Sequence, residues 1–202
     1  MGRSRVCGVG VNDWHESTVY YVGDKKCSIK EYNLWFAMLT RCYSEYTKKA
    51  RPTYKGVVCQ DSWLSMKSFI SDVSKMVGYD KSFTDGWVLD KDILVKGNNL
   101  YSTETCCFVP SEINGCLTLR TRHRGNLPLG ITLNNRSGKF IARCGYDGKR
   151  LSLGHFNSVD EAFSAYRQCK KKELARLAEK YRGCIDDKVY HRLLGWDFTI
   201  YD

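Results

Sequence analysis

The sequence predicts an α+β protein: a helical and β-hairpin module, then a three-stranded antiparallel sheet packed on one long helix. Three observations carry this. Apolar residues recur at helical spacing within 28–46, 61–77 and 158–181. Three strand-like segments, 129–134, 139–146 and 150–156, follow one another between turn signals. An arginine-rich stretch, LTLRTRHRGNL at 117–127, separates the two kinds of pattern. At 43% hydrophobic and 13% aromatic, the 202 residues can bury a core, which excludes a disordered chain.

In the first part, Ser28 and Glu31 read as a capping box, with Tyr32, Trp35, Leu39 and Cys42 at helical spacing behind them. Pro52 breaks that pattern, and Tyr54–Cys59 reads as a strand or extended piece. Asp61 or Ser62 can cap a second helix with the stripe Trp63, Met66, Phe69, Ile70, Val73 and Val77, closed by Gly78. A short apolar piece, Trp87–Leu89, leads into Asp90-Lys91-Asp92. Trp35, Trp63 and Trp87 are core candidates. Cys106 and Cys107 are placed on a strand, one inward and one outward.

In the second part, Asn135-Arg136-Ser137-Gly138 and Asp147-Gly148 are turns, the Asp-Gly pair being a strong two-residue hairpin signal. Ser158 and Glu161 form a second capping box, opening a helix that Gly183 ends. A short helix at 186–194 and an extended tail at 196–201 follow. The division expected is a first module at 1–116, a basic joint at 117–127, a sheet-and-helix domain at 128–183, and a C-terminal helix and tail at 184–202 docking on the core. Alternation puts Phe140, Ala142 and Cys144 on one face of the second strand and Leu151 and Leu153 on one face of the third, toward Ala162, Phe163 and Tyr166. The other face then carries Thr132, Asn134, Lys139, Ile141, Arg143, Arg150 and Ser152.

Charge points to a partner. The chain carries a net +10, and residues 117–183 alone hold 15 basic against 5 acidic residues. A localised basic excess is the footprint of a polyanion-binding protein, most simply one that binds nucleic acid, whereas a solubilising face mixes both signs. A twisted sheet can enter a major groove, where Arg and Asn read base edges and Lys and Arg hold phosphates. Arg122, His123 and Arg124 precede the sheet as a phosphate-gripping arm, and Arg136 sits in its first turn. The run Lys170-Lys171-Lys172 falls on the backing helix and reads as a solvated face. The ten cysteines include no C-x-x-C pair, so they read as reduced thiols, most of them buried, rather than as a zinc site or a disulfide framework. No apolar run reaches membrane-span length and the N-terminus lacks a signal-peptide core, so the expected location is the cytoplasm, with no membrane partner.

The segments LGITLNNRSGKFIARC, KRLSLGHF and SVDEAFSAYRQC resemble the AP2 DNA-binding domain known from plant transcription factors and phage endonucleases. The resemblance implies duplex DNA binding through the sheet, with contacts at Thr132, Asn134, Arg143, Arg150 and Ser152. The plant family has arginines where Leu129 and Thr132 stand and a tryptophan where Ser152 stands, so its sequence preference does not carry over.

The first part, WVLDKDILVKGNNLYSTETCCFVPSEIN together with GVGVND, W-x-x-M-x-x-RCY and PTYKG upstream, resembles the phage HNH (His-Me finger) endonucleases. That resemblance implies a metal-dependent nuclease centre at Asp90, Lys91 and Asp92. The family's general-base histidine falls on Lys91, and the asparagine usual after its "YSPE" falls on Thr105. Asp90 and Asp92 offer oxygen ligands suited to Mg2+ or another divalent cation; a polar turn fixing a hairpin is the alternative role for the pair. A protonated lysine cannot abstract a proton from water. Duplex DNA binding with weak or lost cleavage is therefore the first expectation. The alternatives are an active divalent-metal-dependent HNH endonuclease of homing type, and a non-cutting phage regulator or counter-defence protein acting on a protein or RNA partner.

Overall fold

The computed structural model describes residues 5–118 and 127–202. It is mixed α+β and divides into two compact units, residues 1–109 and 110–202.

The first unit begins with a hairpin that the sequence reading did not foresee: β1 (Val19–Val22) pairs antiparallel with β2 (Lys25–Ser28) across Gly23, whose φ of +59° the turn requires. Ser28 is consequently the last residue of a strand, facing Val19, and not a helix cap. Helix α1 (Lys30–Tyr43) starts after Ile29 with no side-chain cap, and it buries Trp35, Met38, Leu39 and Cys42. Its N-terminus is held instead by backbone and side-chain bonds from Ile29 N to Thr18 O and from Asn33 Nδ2 to Ser28 O.

The first helical segment does not run on to residue 46. Ser44 leaves helical geometry and caps a second helix, α2 (Glu45–Ala50), by accepting from Thr47 N at 3.3 Å. Strand β3 is only Val58–Cys59, after a 3-10 turn at Pro52–Tyr54. The cap of the next helix is also displaced. Asp61–Leu64 is a 3-10 turn, and Ser65 caps α3 (Met66–Val73) through Ser68 N. Asp13 reinforces that start, accepting from Lys67 N and from the Ser65 hydroxyl. Trp63, Met66, Phe69, Ile70 and Val73 are buried as predicted; Val77 lies beyond the helix and is exposed.

After α4 (Lys81–Thr84), β4 (Val88–Asp90) pairs antiparallel with β6 (Cys107–Val109), and β5 (Leu100–Tyr101) pairs parallel with β3. Trp35, Trp63 and Trp87 are buried. Cys106 and Cys107 do not alternate inward and outward. Both are buried, because Cys106 precedes the strand and β6 is covered along its whole length.

The second unit starts earlier than the composition boundary at 116, since α5 (Ser111–Leu117) packs on the long helix of this unit. Strands β7 (Ile131–Asn134), β8 (Lys139–Tyr146) and β9 (Lys149–Phe156) form an antiparallel meander. Asp147 and Gly148 turn the second hairpin with φ of +48° and +71°, the mirror-image turn that suits strand twist. Helix α6 (Val159–Lys180) begins with the predicted capping box, Ser158 Oγ accepting from Glu161 N. The Glu161 carboxylate reaches back to Asn157 N. Helix α7 (Asp187–Leu194) is capped by Asp186, and Trp196 and Phe198 of the tail are buried, with Phe198 edge-on to Tyr166. Where α6 lies on the sheet, Ile131, Ala142 and Cys144 meet it, with Ala162, Phe163 and Tyr166 on the helix side.

A β-bulge corrects one face assignment. Ala142 pairs with Gly154 and Arg143 with Ser152, so Leu153 has no opposite number and the alternation of β9 resets there. Leu151 stands opposite Cys144, on the expected face, but is exposed rather than buried under the helix; on the other side of the bulge Gly154, rather than Leu153, faces Ala142.

Candidate functional site

The register of the meander assembles the predicted surface. Thr132 lies opposite Ile141, Asn134 opposite Lys139, Arg143 opposite Ser152 and Arg150 opposite Gly145. All share parity opposite to Ile131, Ala142 and Cys144, so they occupy the sheet face that α6 leaves uncovered. Thr132, Lys139, Arg150 and Ser152 are exposed, Arg143 is half-buried, and exposed Arg136 stands in the turn at the end of the first hairpin. Salt bridges among the described residues engage none of Arg136, Lys139, Arg143 or Arg150. The acidic residue nearest in sequence, Asp147, is taken by Arg176 at 3.1 Å. The face is therefore a set of cations whose charge is not cancelled within the sheet, flanked by short hydroxyl and amide groups.

Two details were not legible beforehand. Asn134 spends its Oδ1 on the turn, accepting from Arg136 N at 3.0 Å and Ser137 N at 3.4 Å, so the turn engages the oxygen and not the NH2 of its amide. His155 pairs with Ile141 and so belongs to the same face. Arg122, His123 and Arg124 of the expected arm lie outside the described residues.

The helix run behaves differently from its neighbours in sequence. Lys171 and Lys172 are exposed, and Lys171 pairs with Asp197 at 3.1 Å. Lys170 is partly buried: its Nζ donates to Cys116 O at 2.6 Å and lies over the Phe198 ring. It joins α5, α6 and the tail.

The Asp90–Asp92 loop is built as a hydrogen-bonded turn. Asp90 Oδ1 accepts from Asp92 N at 2.7 Å and Ile93 N at 3.0 Å. Burial raises the Asp90 carboxyl above the ordinary aspartate range, with these two backbone donors opposing the shift. Lys91 is 4% exposed, and its Nζ donates to Asp92 Oδ1 at 2.7 Å and to Asn98 O. Asn98 locks the loop from the other side, donating from Nδ2 to Lys91 O at 2.9 Å and to Leu100 O. Thr105 accepts from Ser102 N and donates to Leu100 O at 2.7 Å. The threonine hydroxyl thus helps to shape the loop.

This donor set suits a divalent ion poorly. One Asp90 oxygen is committed to two backbone N–H groups, and an ammonium already sits against Asp92. Among the described residues no three His, Cys, Asp or Glu side chains gather as a metal site. Burial pushes the neighbouring Cys106 thiol up to about 12, which keeps it protonated at neutral pH. His15 is exposed, its ring tilted against Trp14 at 4.7 Å and its Nε2 3.7 Å from the Glu16 carboxylate. The residue that sequence reasoning missed is Arg41. It donates to the Tyr101 hydroxyl at 3.3 Å and toward Leu89 O at 3.5 Å, and Asp90 contributes to its electrostatic environment. Its signal was an arginine inside the apolar stripe of α1.

Comparison of the chain with protein-family models, curated proteins and solved structures finds no match. Among the described residues no helix is long and apolar enough to cross a membrane.

Proposed function

We propose that this protein binds double-stranded DNA through the uncovered face of the β7–β8–β9 sheet, as a relative of the phage HNH–AP2 proteins whose cutting chemistry is weak or lost. The observation that carries the reading is the register: it gathers Lys139, Arg143 and Arg150 with Thr132, Asn134 and Ser152 on one face, and none of those cations has a salt-bridge partner among the described residues. Arginine offers a two-donor fork that matches the O6 and N7 acceptors of guanine, while lysine and hydroxyl groups suit phosphate oxygens. A three-stranded sheet backed by one helix supplies a rigid platform for those groups.

The same reading supports binding over cleavage. A nuclease of the HNH kind needs a proton acceptor and a metal held against the scissile phosphate. Lys91 is engaged as a donor on Asp92 and Asn98, and Asp90 serves its own turn. General-base assistance is worth about 10²–10⁴-fold, so its loss leaves slow nicking or none.

The test is a gel shift of the full chain with duplex DNA, single-stranded DNA and RNA probes, beside a plasmid-nicking assay with magnesium and with manganese. Duplex preference is expected. Arg143→Ala and Arg150→Ala should each weaken binding by about 1–3 kcal/mol if they read bases. Lys171→Ala, on α6, should matter much less. Binding of RNA alone, or a larger loss at Lys171 than at either arginine, overturns the assignment. Robust magnesium-dependent cleavage abolished by Asp90→Ala or Asp92→Ala restores the nuclease alternative.

A further inference from the structure

The first unit has a charge distribution of its own. Residues 1–109 hold 15 basic and 12 acidic residues, a net of +3. The segment 45–55 alone holds Lys48, Lys49, Arg51 and Lys55 against Glu45, also a net of +3. Everything else in the unit therefore balances, and its whole excess lies in eleven consecutive residues, including α2.

The one acidic member does not cancel the rest. Glu45 pairs with Lys48 at 3.1 Å, within one turn of helix. Lys49, Arg51 and Lys55 are exposed, and salt bridges among the described residues engage none of them. Nor is the segment a loose tail. Ser44 caps it, Arg51 N bonds to Thr47 O at 2.8 Å, Tyr54 N to Arg51 O at 3.1 Å, and Lys55 N to Pro52 O at 3.0 Å. Consecutive turns thus hold the cations on an ordered backbone, which reduces the backbone entropy lost on engaging a polyanion. Tyr46, 84% exposed on the same short helix, adds a flat ring that can lie against a sugar or a base. A surface that only promotes solubility interleaves both signs; this one does not.

We propose that residues 46–55 form a second nucleic-acid contact surface, which grips the phosphate backbone of duplex DNA through Lys49, Arg51 and Lys55. The proposal rests on the DNA-binding reading of the second unit. It adds that the HNH-like unit contributes sequence-independent affinity without using the Asp90–Asp92 loop.

The experiment compares the full chain with the triple variant Lys49→Ala/Arg51→Ala/Lys55→Ala on two unrelated duplexes over a salt series. A control, Lys25→Ala/Lys26→Ala/Lys75→Ala, removes equal charge from elsewhere in the same unit. Each phosphate contact contributes about 0.9 to the slope of log K against log salt, so the triple variant should lose about 2–3 from that slope. It should bind roughly 10- to 100-fold more weakly at low salt, equally on both duplexes, with the control near the parent. If the parent binds and the triple variant keeps its slope and affinity, this surface is refuted while the sheet reading stands. An equal loss in the control, or a loss on one duplex only, also overturns it, as diffuse charge or base reading respectively. A parent that binds no duplex DNA overturns both readings.

Discussion

The two units solve the same problem, burying a core in about a hundred residues each, in opposite ways. The second uses consecutive strands and one long helix: β7, β8 and β9 pair in chain order, and α6 covers them. The first uses fragments. Apart from the β1–β2 hairpin, its pairings join Val58 to Leu100 and Val88 to Val109, across long stretches of chain, in sheets of two strands each. Contacts between neighbours in sequence leave local signals such as turn dipeptides and caps. Contacts between distant segments do not, and their strands can be as short as two residues where buried side chains such as Cys59 and Tyr101 support the few ladder bonds.

The sharpest way to break this contrast is at Gly130, which enters β7 with a positive φ close against Tyr166 of α6. Its φ is +75°, and an added Cβ would meet the Tyr166 ring and lie 2.7 Å from Arg143 O. Gly130→Ala should cost about 3 kcal/mol or more, from left-handed strain and overpacking together. Gly148→Ala, at a φ of +71° but with nothing within 4 Å, should cost only about 1–2 kcal/mol. Urea melts of both variants decide it; equal losses would mean that the Tyr166 contact gives way easily.

The corresponding pin in the first unit is Lys91. Lys91→Met keeps the stem but leaves Asn98 O without its donor and Asp92 without its counter-ion. Because Asp92 is half-exposed, water can compensate it, and the loss should come mainly from the unmet carbonyl, about 2 kcal/mol. Tryptophan fluorescence reports on it, since Trp14, Trp35, Trp63 and Trp87 all lie in the first unit. An unchanged melt would show that the ammonium is not what holds the loop.

The smallest effect concerns acid. In the second unit, Lys180, followed by Tyr181 and Arg176, holds the Glu112 carboxyl below its ordinary 4.5. Its stabilisation is present above that value and is lost as pH falls through the lower folded value. In the first unit Asp90 is raised by burial, so its folded form favours the protonated state and gains relative stability as pH falls toward 3.8. Glu112→Gln should therefore flatten the acid limb of the second unit's pH–stability curve. The Glu112 network is partly solvated, so the difference should stay below about 1 kcal/mol. A steeper limb in the variant would reverse the sign argued here.

The legibility of the chain follows the same division. Ser158 with Glu161, the Asp147-Gly148 turn and the alternation of β8 act over a few residues, and each was read correctly from the string. Ser28 with Glu31 has the same spacing as a capping box. It failed because Ser28 is drawn into a hairpin with Val19 across the Gly23-Asp24 turn, a local signal that competes with the capping-box pattern for the same serine. Asp61 and Ser62 lost the cap of α3 to Ser65, which Asp13 supports from over fifty residues away.

By itself the sequence determined the mixed α+β composition, the sheet-and-helix element, the concentration of positive charge and the parity that puts Lys139, Arg143 and Arg150 on one face. Those depend on periodicity and composition, which survive without coordinates. Only the tertiary structure decided that Leu153 is a bulge, that α5 belongs with the second unit, that Asn134 closes its own turn, and that Lys91 is buried against Asp92 and Asn98. Each is a competition between partners for the same donor, acceptor or packing space. The winner depends on which groups, near or far in sequence, the folded chain brings within about 3 Å, a distance that no spacing in the sequence records.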